Sequence, residues 1–211
     1  MKSFGVSKMV KLYLVRHACT TWNEENRIQG SHNPDLSARG KDQAKRLARR
    51  FKKENISFIV SSDLLRTAKT ARIVQKSLNV PIRYEKGLRE IHLGSWEGKT
   101  PEEVDRLYQN GYQKWLKSPS GVRIPEAEPV PKFRKRVLGT FGAILHKNPE
   151  GNIVVVTHGG VISTLLSNLL SGREDYFLLR LRLDNAGLTV IQIEEKHHVV
   201  IHCVNDISHL R

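Results

Sequence analysis

Short apolar runs alternate along this chain with longer stretches in which apolar and polar residues recur at helical spacing. The first run, Lys11–Val15, leaves no polar face, which is typical of a strand buried on both sides of a sheet. Further runs rich in β-branched residues predict more strands. These are Ile56–Ser62, Val80–Tyr84, Ile153–Thr157, Leu188–Ile193 and Val199–Val204, the last two forming a hairpin.

Amphipathic helices are predicted between these strands. Ser37 is the expected N-cap of a helix that reaches Phe51, and its apolar positions recur at helical spacing. Thr100 begins another, because the sequence Thr-Pro-Glu-Glu combines a capping box with a proline at the first helical position. The remaining predicted helices are Leu64–Leu78, with cap-type residues at Ser61–Asp63, Lys132–His146 and Val161–Leu170.

Alternating strands and helices predict a three-layer α/β/α sandwich with a mostly parallel central sheet. We expect about six strands, with an antiparallel edge strand supplied by the final hairpin. No repeat or linker divides the chain, so residues 9–211 are predicted to form a single domain. Residues 1–8 are expected to be an N-terminal extension that need not be ordered, and Met9 is an alternative start.

The chain has a formal net charge of +14 at pH 7, which attracts anions without identifying a partner. The basic residues of the helix after Ser37 have no aromatic residues among them, so a solvated face is favoured over a nucleic-acid groove. Cys19 and Cys203 form no CxxC motif, which indicates a reducing compartment rather than a disulfide or zinc scaffold. Without a membrane-span or signal-peptide pattern, we expect a cytoplasmic protein.

Residues able to bind an anion follow three of the predicted strands. Arg16-His17 ends the first strand, Thr157-His158 ends the strand before the last helix, and Arg66 follows the second strand. Because parallel strands end at one edge of a sheet, these side chains are expected to converge there. Each alone is explained as a surface charge or a core histidine. Their joint placement instead favours phosphate chemistry.

These residues lie in motifs that resemble those of the histidine phosphatase superfamily, also called phosphoglycerate mutase-like. The resemblance covers the chain beyond Met9, and the motifs occur in the family's order. The matching segments are LVRHACTTWN (Leu14–Asn23), RIQG (Arg27–Gly30), SSDLLRTAKTA (Ser61–Ala71), LREIHLGSWEG (Leu88–Gly98), VVVTHGG (Val154–Gly160) and NDISHL (Asn205–Leu210).

The resemblance implies a role for each residue of the predicted site. His17 is expected to be the nucleophile that forms a phosphohistidine, which requires a neutral imidazole with one free nitrogen. Glu90 is expected to protonate the leaving oxygen and then to activate water. Arg16, Arg66 and His158 complete the catalytic set. The phosphate is expected to contact Arg16, Asn23, Gln29, Gly30, Arg66, His158 and Gly159.

The resemblance and the donor set together imply a small phosphorylated metabolite as substrate. No cofactor is expected and no metal, since the donors suffice and no HExxH motif occurs. The substrate is left open among sugar phosphates, phosphoserine, phosphoglycerates, nucleotides and α-ribazole phosphate. We expect a monomer or a homodimer that binds neither membranes nor a specific nucleic acid.

Departures from the family pattern concern specificity. Ala18 stands where the family usually has glycine, Cys19 where it has an acidic residue, and residues 33–36 read NPDL rather than D-x-P-L. The family's PGGES is PEAEP at residues 125–129, in a segment that usually shapes the substrate pocket. We predict that residues 96–128, called here the covering segment, lie over the pocket. Its aromatic residues can contact an apolar leaving group, although a core role is expected for most of them.

Three alternatives compete with a phosphatase. A phosphoglycerate mutase is disfavoured because no adjacent arginine pair lies between Gly98 and Pro125. A cysteine phosphatase is disfavoured because Glu25 stands where its C-x5-R signature requires arginine after Cys19. A non-enzymatic basic binding protein on the same fold predicts a broken catalytic set, whereas every residue of that set is present.

Overall fold

A six-stranded sheet is the central layer of the residues that the computed structural model describes, which are 9–171, 181–194 and 198–211. Its strands are β1 (Val10–Arg16), β2 (Phe58–Ser61), β3 (Ile82–Tyr84), β4 (Gly151–Thr157), β5 (Leu188–Ile193) and β6 (Val199–Asp206). They lie in the order β3-β2-β4-β1-β5-β6. The first four strands in chain order are parallel, and β5 runs against both β1 and β6. The prediction of a mostly parallel sheet with antiparallel pairing at one edge is confirmed.

Helices cover both faces of this sheet. They are α1 (Thr21–Glu24), α2 (Ala38–Phe51), α3 (Leu65–Leu78), α4 (Pro101–Leu107), α5 (Gly111–Lys117), α6 (Val130–Lys147) and α7 (Gly159–Ser171), with short 3-10 helices at Lys86–Leu88, Gly94–Trp96, Pro119–Gly121 and Ser208–Leu210. None of these helices is long and apolar enough to cross a bilayer.

Successive residues of β4 pack against different helices, which shows the three layers directly. Val154 packs with α2 and α3 on one face, and Val155 packs with α6 and α7 on the other. This follows from the pleat of a strand, in which neighbouring side chains point to opposite faces. The central strands β1, β2 and β4 are therefore mostly buried, as their apolar runs predict, whereas the edge strands β3 and β6 are partly exposed.

Local capping signals place two helices correctly. The Ser37 hydroxyl accepts a hydrogen bond from the Gly40 N–H (3.1 Å) at the start of α2. Thr100 and Glu103 form the predicted capping box at the start of α4.

The predicted side-chain cap of α3 from Ser61–Asp63 is wrong. The N-cap is Leu64, which has no capping side chain. Asn33 Oδ1 instead accepts a hydrogen bond from the Leu65 N–H at 2.9 Å. Because Asn33 belongs to a loop distant in sequence, a local pattern could not reveal this contact. The predicted extension at residues 1–8 lies outside the described residues.

Candidate active site

The ends of β1 and β4 place two histidines side by side. Arg16 is the last residue of β1 and His17 follows it, while His158 follows Thr157 at the end of β4. The backbone N–H of His17 donates to the Thr157 carbonyl at 2.8 Å, so the two strands remain paired up to the histidines. The imidazole centroids lie 5.4 Å apart at an interplanar angle of 61°. The carboxyl ends of two neighbouring parallel strands thus bring the two histidines together at one edge of the sheet.

His17 has one ring nitrogen tied to the backbone and one free. Its Nδ1 lies 2.9 Å from the Ala18 carbonyl oxygen. A carbonyl only accepts, so Nδ1 carries the proton and Nε2 carries the lone pair. Burial lowers the pKa of His17 well below 6.5, and the positive charges of Arg66 and Arg16 lower it further. The imidazole is therefore neutral at neutral pH, as a nitrogen nucleophile requires.

His158 is fully buried beside His17. Its Nε2 lies 3.0 Å from the Ser62 hydroxyl oxygen, at the end of β2. Its Nδ1 is buried and has no hydrogen-bond partner among the described residues. Burial lowers the pKa of His158 well below 6.5, and the charge of Arg66 acts in the same direction. A buried nitrogen without a partner is costly unless a ligand satisfies it.

Two arginines line the same cavity as His17, the buried Arg66 and the partly buried Arg16. Arg66, in the first turn of α3, donates to the carbonyl oxygens of Gly30 (2.7 Å) and His32 (2.6 Å). Arg16 donates to the Leu183 carbonyl. Burial lowers the pKa of Arg66 to about 10, which still leaves it charged at neutral pH. Burial lowers the pKa of Arg16 as well, and the carboxylates of Glu90 and Asp184 act in the opposite direction. The Nε of each is buried without a partner among the described residues.

Glu90 lies at the N-terminus of α7. One carboxylate oxygen accepts from the Gly160 N–H at 3.0 Å, and the other accepts from the Ile91 N–H at 2.9 Å. A Cβ on Gly160 would lie 2.3 Å from Glu90 Oε1, so only glycine allows this close approach. Glu90 lines the cavity together with His17 and both arginines. The cavity therefore holds a carboxyl group together with His17 and the two guanidinium groups.

The other predicted contact residues also line the cavity: Asn23, Gln29, Gly30 and Gly159. The Asn23 carbonyl oxygen accepts from Thr20 and from the Asn185 amide (3.1 Å), which leaves its own amide N–H groups available to a ligand. The Asn185 amide also donates to the His17 carbonyl at 3.0 Å. Asn185 was missed by the sequence interpretation, since a lone asparagine in a loop carries no recognisable signal.

Glu97 was missed as well, although it lies within a family motif. Its buried carboxylate accepts hydrogen bonds from the backbone N–H groups of Ser31 (2.9 Å) and Leu93 (2.8 Å), and both His32 and His92 approach it with Nδ1. Burial alone would raise its pKa, but these hydrogen bonds hold the pKa below the usual value. Glu97 thereby fixes the loop whose carbonyl oxygens bind Arg66.

His17, Arg16, Arg66, Glu90 and the four predicted contact residues line one cavity of about 410 Å³, whereas the predicted contact residue His158 is fully buried beside His17 and is not among the lining residues. The covering segment contributes part of the wall: Pro101, Tyr112, Trp115, Leu116 and Pro119. Its other two aromatic residues have a core role, with Trp96 buried against Tyr108. In the described parts of the chain, no cluster of three or more histidine, cysteine, aspartate or glutamate side chains could hold a metal ion.

Comparison with known proteins identifies the family. The model of the histidine phosphatase superfamily (branch 1) matches residues 12–206. The chain belongs to this superfamily. The family resemblance expected from the sequence is therefore confirmed. The expected fold is confirmed as well, because this histidine phosphatase superfamily member matches solved structures over nearly its full length. The structure of Bacillus stearothermophilus YhfR has a TM-score of 0.89 at 29% identity and covers 96% of this chain and 100% of that one.

Curated relatives of this superfamily member have two kinds of name. Phosphoserine phosphatase 1 of Hydrogenobacter thermophilus is 35% identical over 193 residues, which are 92% of this chain and 91% of the relative. A probable phosphoglycerate mutase GpmB of Escherichia fergusonii is 31% identical over 206 residues, which are 96% of this chain and 95% of the relative. The superfamily thus includes relatives named as phosphatases and as mutases.

Proposed function

We propose that this chain is a metal-independent phosphatase that hydrolyses small phosphate monoesters through a phosphohistidine on His17. The supporting observation is the state of the buried donors around that histidine. Arg16 Nε and Arg66 Nε are buried donors without partners among the described residues, and both arginines line the cavity with His17; Nδ1 of the adjacent His158 is a further buried nitrogen without a partner there. A phosphate group would supply the missing acceptors, since its oxygens accept several charge-assisted hydrogen bonds.

In the first step, the Nε2 lone pair of His17 attacks phosphorus while the bond from phosphorus to the ester oxygen breaks. Glu90, in its protonated form, gives its proton to the departing oxygen, and the alcohol leaves. Arg16 and Arg66 neutralise the charge that spreads over the equatorial oxygens. The products are the alcohol and a phosphohistidine, with Glu90 ionised.

In the second step, water attacks the phosphohistidine and Glu90 takes one of its protons. The bond from phosphorus to nitrogen breaks, and inorganic phosphate leaves with the water oxygen. His17 returns to the neutral form and Glu90 to the acid form. One carboxyl group therefore serves both steps, which agrees with the position of Glu90 on the cavity wall beside His17.

A phosphoglycerate mutase is the second candidate, and the similarity to the probable mutase GpmB favours it. The same phosphohistidine would then pass its phosphoryl group to a hydroxyl of phosphoglycerate rather than to water. The covering segment lacks the adjacent arginines expected to grip the substrate carboxylate. We therefore favour hydrolysis.

Phosphate release from small esters, measured in EDTA beside a mutase assay on 3-phosphoglycerate, tests this proposal. We expect release to be insensitive to the chelator and His17→Ala to lower kcat by at least ~1000-fold. A radiolabelled ester should leave acid-labile label on the wild type and none on His17→Ala. The matched control is His146→Ala, an exposed histidine on α6, which should behave as the wild type.

Three results would contradict the phosphatase assignment. Full activity of His17→Ala would remove the proposed nucleophile. Faster mutase turnover than hydrolysis would favour the second candidate. No turnover of any ester by folded protein, together with salt-sensitive RNA binding tighter than ~1 μM, would favour the non-enzymatic alternative.

A further inference from the structure

Part of the cavity wall is apolar. Residues from α5, α6 and the segment before β5 form this part, called here the apolar wall: Tyr112, Trp115, Leu116, Val130, Phe133 and Leu181. Trp115, Val130 and Phe133 are buried in the main hydrophobic core, so this wall is anchored to the sheet. Tyr112 stacks on Trp115 with ring centroids 6.3 Å apart. The wall is therefore a packed surface rather than a set of loose side chains.

Few of the described residues that line the cavity are charged. Apart from Arg16, Arg66 and Glu90, which belong to the reaction site proposed above, Arg27 is the one charged residue. Its guanidinium donates to Glu25 (2.8 Å) and to the Gly98 carbonyl (2.7 Å), and it lies 3.5 Å from Glu103. Two carboxylates thus compensate its charge.

Helix α5 shows the same separation of apolar and charged residues along its own length. Tyr112, Trp115 and Leu116 line the cavity, whereas Lys114 and Lys117 are exposed and lie outside the lining. The basic residues that give the chain its net charge of +14 therefore do not belong to the described part of this wall. A leaving group that enters here meets hydrocarbon and aromatic surface.

We propose that this wall is a leaving-group subsite for uncharged, apolar alcohols. The proposal rests on the phosphatase function proposed above and names its substrate class: phosphate monoesters of aromatic or branched hydrocarbon alcohols. An apolar leaving group gains free energy when it leaves water for this wall. A leaving group with a carboxylate loses hydration there and finds no cation among the six residues of the apolar wall, since Arg16 and Arg66 are taken up by the phosphate group and the charge of Arg27 is compensated.

The first test compares esters whose leaving alcohols have similar basicity, so that bond breaking does not decide the result. We expect kcat/KM for 2-phenylethyl phosphate to exceed that for phosphoserine and for 3-phosphoglycerate by at least ~10-fold, since single apolar contacts discriminate by about that factor. Ethyl phosphate serves as the uncharged reference without apolar bulk and is expected to fall below 2-phenylethyl phosphate. A preference below ~10-fold, or one for phosphoserine, overturns the proposal.

The second test moves a charge into the wall. Leu116→Lys is expected to lower kcat/KM for 2-phenylethyl phosphate and raise it for phosphoserine, changing their ratio by ~10-fold or more. The matched control is Leu107→Lys, which makes the same change at an exposed leucine of α4 outside the cavity lining and is expected to keep the wild-type ratio. Equal ratios in both variants overturn the proposal.

Failure of the subsite and failure of the phosphatase function give different results. Hydrolysis in EDTA that depends on His17 but prefers phosphoserine refutes the apolar subsite and leaves the phosphatase function standing. Absence of His17-dependent hydrolysis of every ester in the panel refutes both.

Discussion

At the scale of single residues, the site depends on keeping an imidazole neutral beside two guanidinium groups. Burial is the main cause of the lowered pKa of His17, and Arg66 and Arg16 add to it. The same arginines that are proposed to bind phosphate thus help to prevent His17, the proposed nucleophile, from taking a proton. Sequence motifs identify these residues, because the residue types and their order are specific. They do not identify Asn185, whose contacts with His17 and Asn23 exist only in the folded chain.

Removing one positive charge should make His17 easier to protonate. We expect Arg66→Met to raise the pKa of His17 toward, but not to, the usual value of about 6.5, because burial still lowers it. Arg66→Lys keeps the charge and is expected to leave the pKa of His17 near its wild-type value. NMR titration of the His17 ring in phosphate-free protein measures both. An identical pKa in the two variants would contradict the assigned role of charge.

At the scale of elements, the loop between α1 and α2 lies between two functional side chains. It contacts the buried carboxylate of Glu97 and the guanidinium of Arg66. Glu97 binds the Ser31 N–H, while the carbonyls of Gly30 and His32 in the same loop bind Arg66. A Cβ at Gly30 would lie 1.9 Å from Glu97 Oε1, so this loop approaches the carboxylate as only glycine allows. Glu97 is thus a positioning residue for Arg66.

The position of Arg66 should therefore depend on Glu97. We expect Glu97→Ala to raise the inhibition constant of inorganic phosphate by ~10-fold, which corresponds to about 1.4 kcal/mol, and to raise KM more than it lowers kcat. Glu97→Gln retains an acceptor for Ser31 and Leu93 and should restore phosphate affinity to within ~3-fold of the wild type. Glu102→Ala, at an exposed carboxylate of α4, is the control.

Thermal unfolding of the same variants separates positioning from general loss of structure. A merely structural role predicts lower thermal stability with unchanged phosphate inhibition for the folded fraction. If Glu97→Ala inhibits as the wild type does, the loop does not depend on Glu97 for holding Arg66.

Features that depend on residues close together in the sequence could be predicted. Features that depend on contacts between residues distant in the sequence could not. The capping box of α4 involves Thr100 and Glu103, three positions apart, so its pattern is visible in the sequence. Asn33, which lies before α2, caps α3, and Glu97 binds the loop that contacts Arg66. Both partners lie far from α3 in the sequence. The short helices α1 and α5 were not predicted, because neither is long enough to show helical periodicity.

At the scale of the whole molecule, the described part of the fold holds two buried histidines, His17 and His158, in the neutral form. Burial of His17 and His158 lowers the pKa of each well below 6.5, whereas in the unfolded chain each would titrate near that value. The unfolded state therefore binds more protons than the folded state once the pH falls below about 6.5. The burial that keeps His17 neutral therefore also makes the free energy of unfolding depend on pH.

Lowering the pH from 7.5 to 5 should reduce the free energy of unfolding. Each buried histidine contributes a slope of at most about 1.4 kcal/mol per pH unit, or about 2.7 kcal/mol for both, in the range below pH 6.5 where the unfolded histidines are protonated and the folded ones are not. Carboxylates with lowered pKa, such as Glu97, lose their contribution only at lower pH, so they do not mask this effect.

Urea unfolding between pH 7.5 and pH 5 measures this loss in the free energy of unfolding. His158→Gln removes one titrating group and should reduce the loss, while His17 and the half-buried His209, whose pKa burial also lowers, supply the remainder. The exposed His146→Gln on α6 should leave the loss unchanged. If His158→Gln loses as much stability as the wild type over this range, proton uptake by buried His158 on unfolding is not its cause.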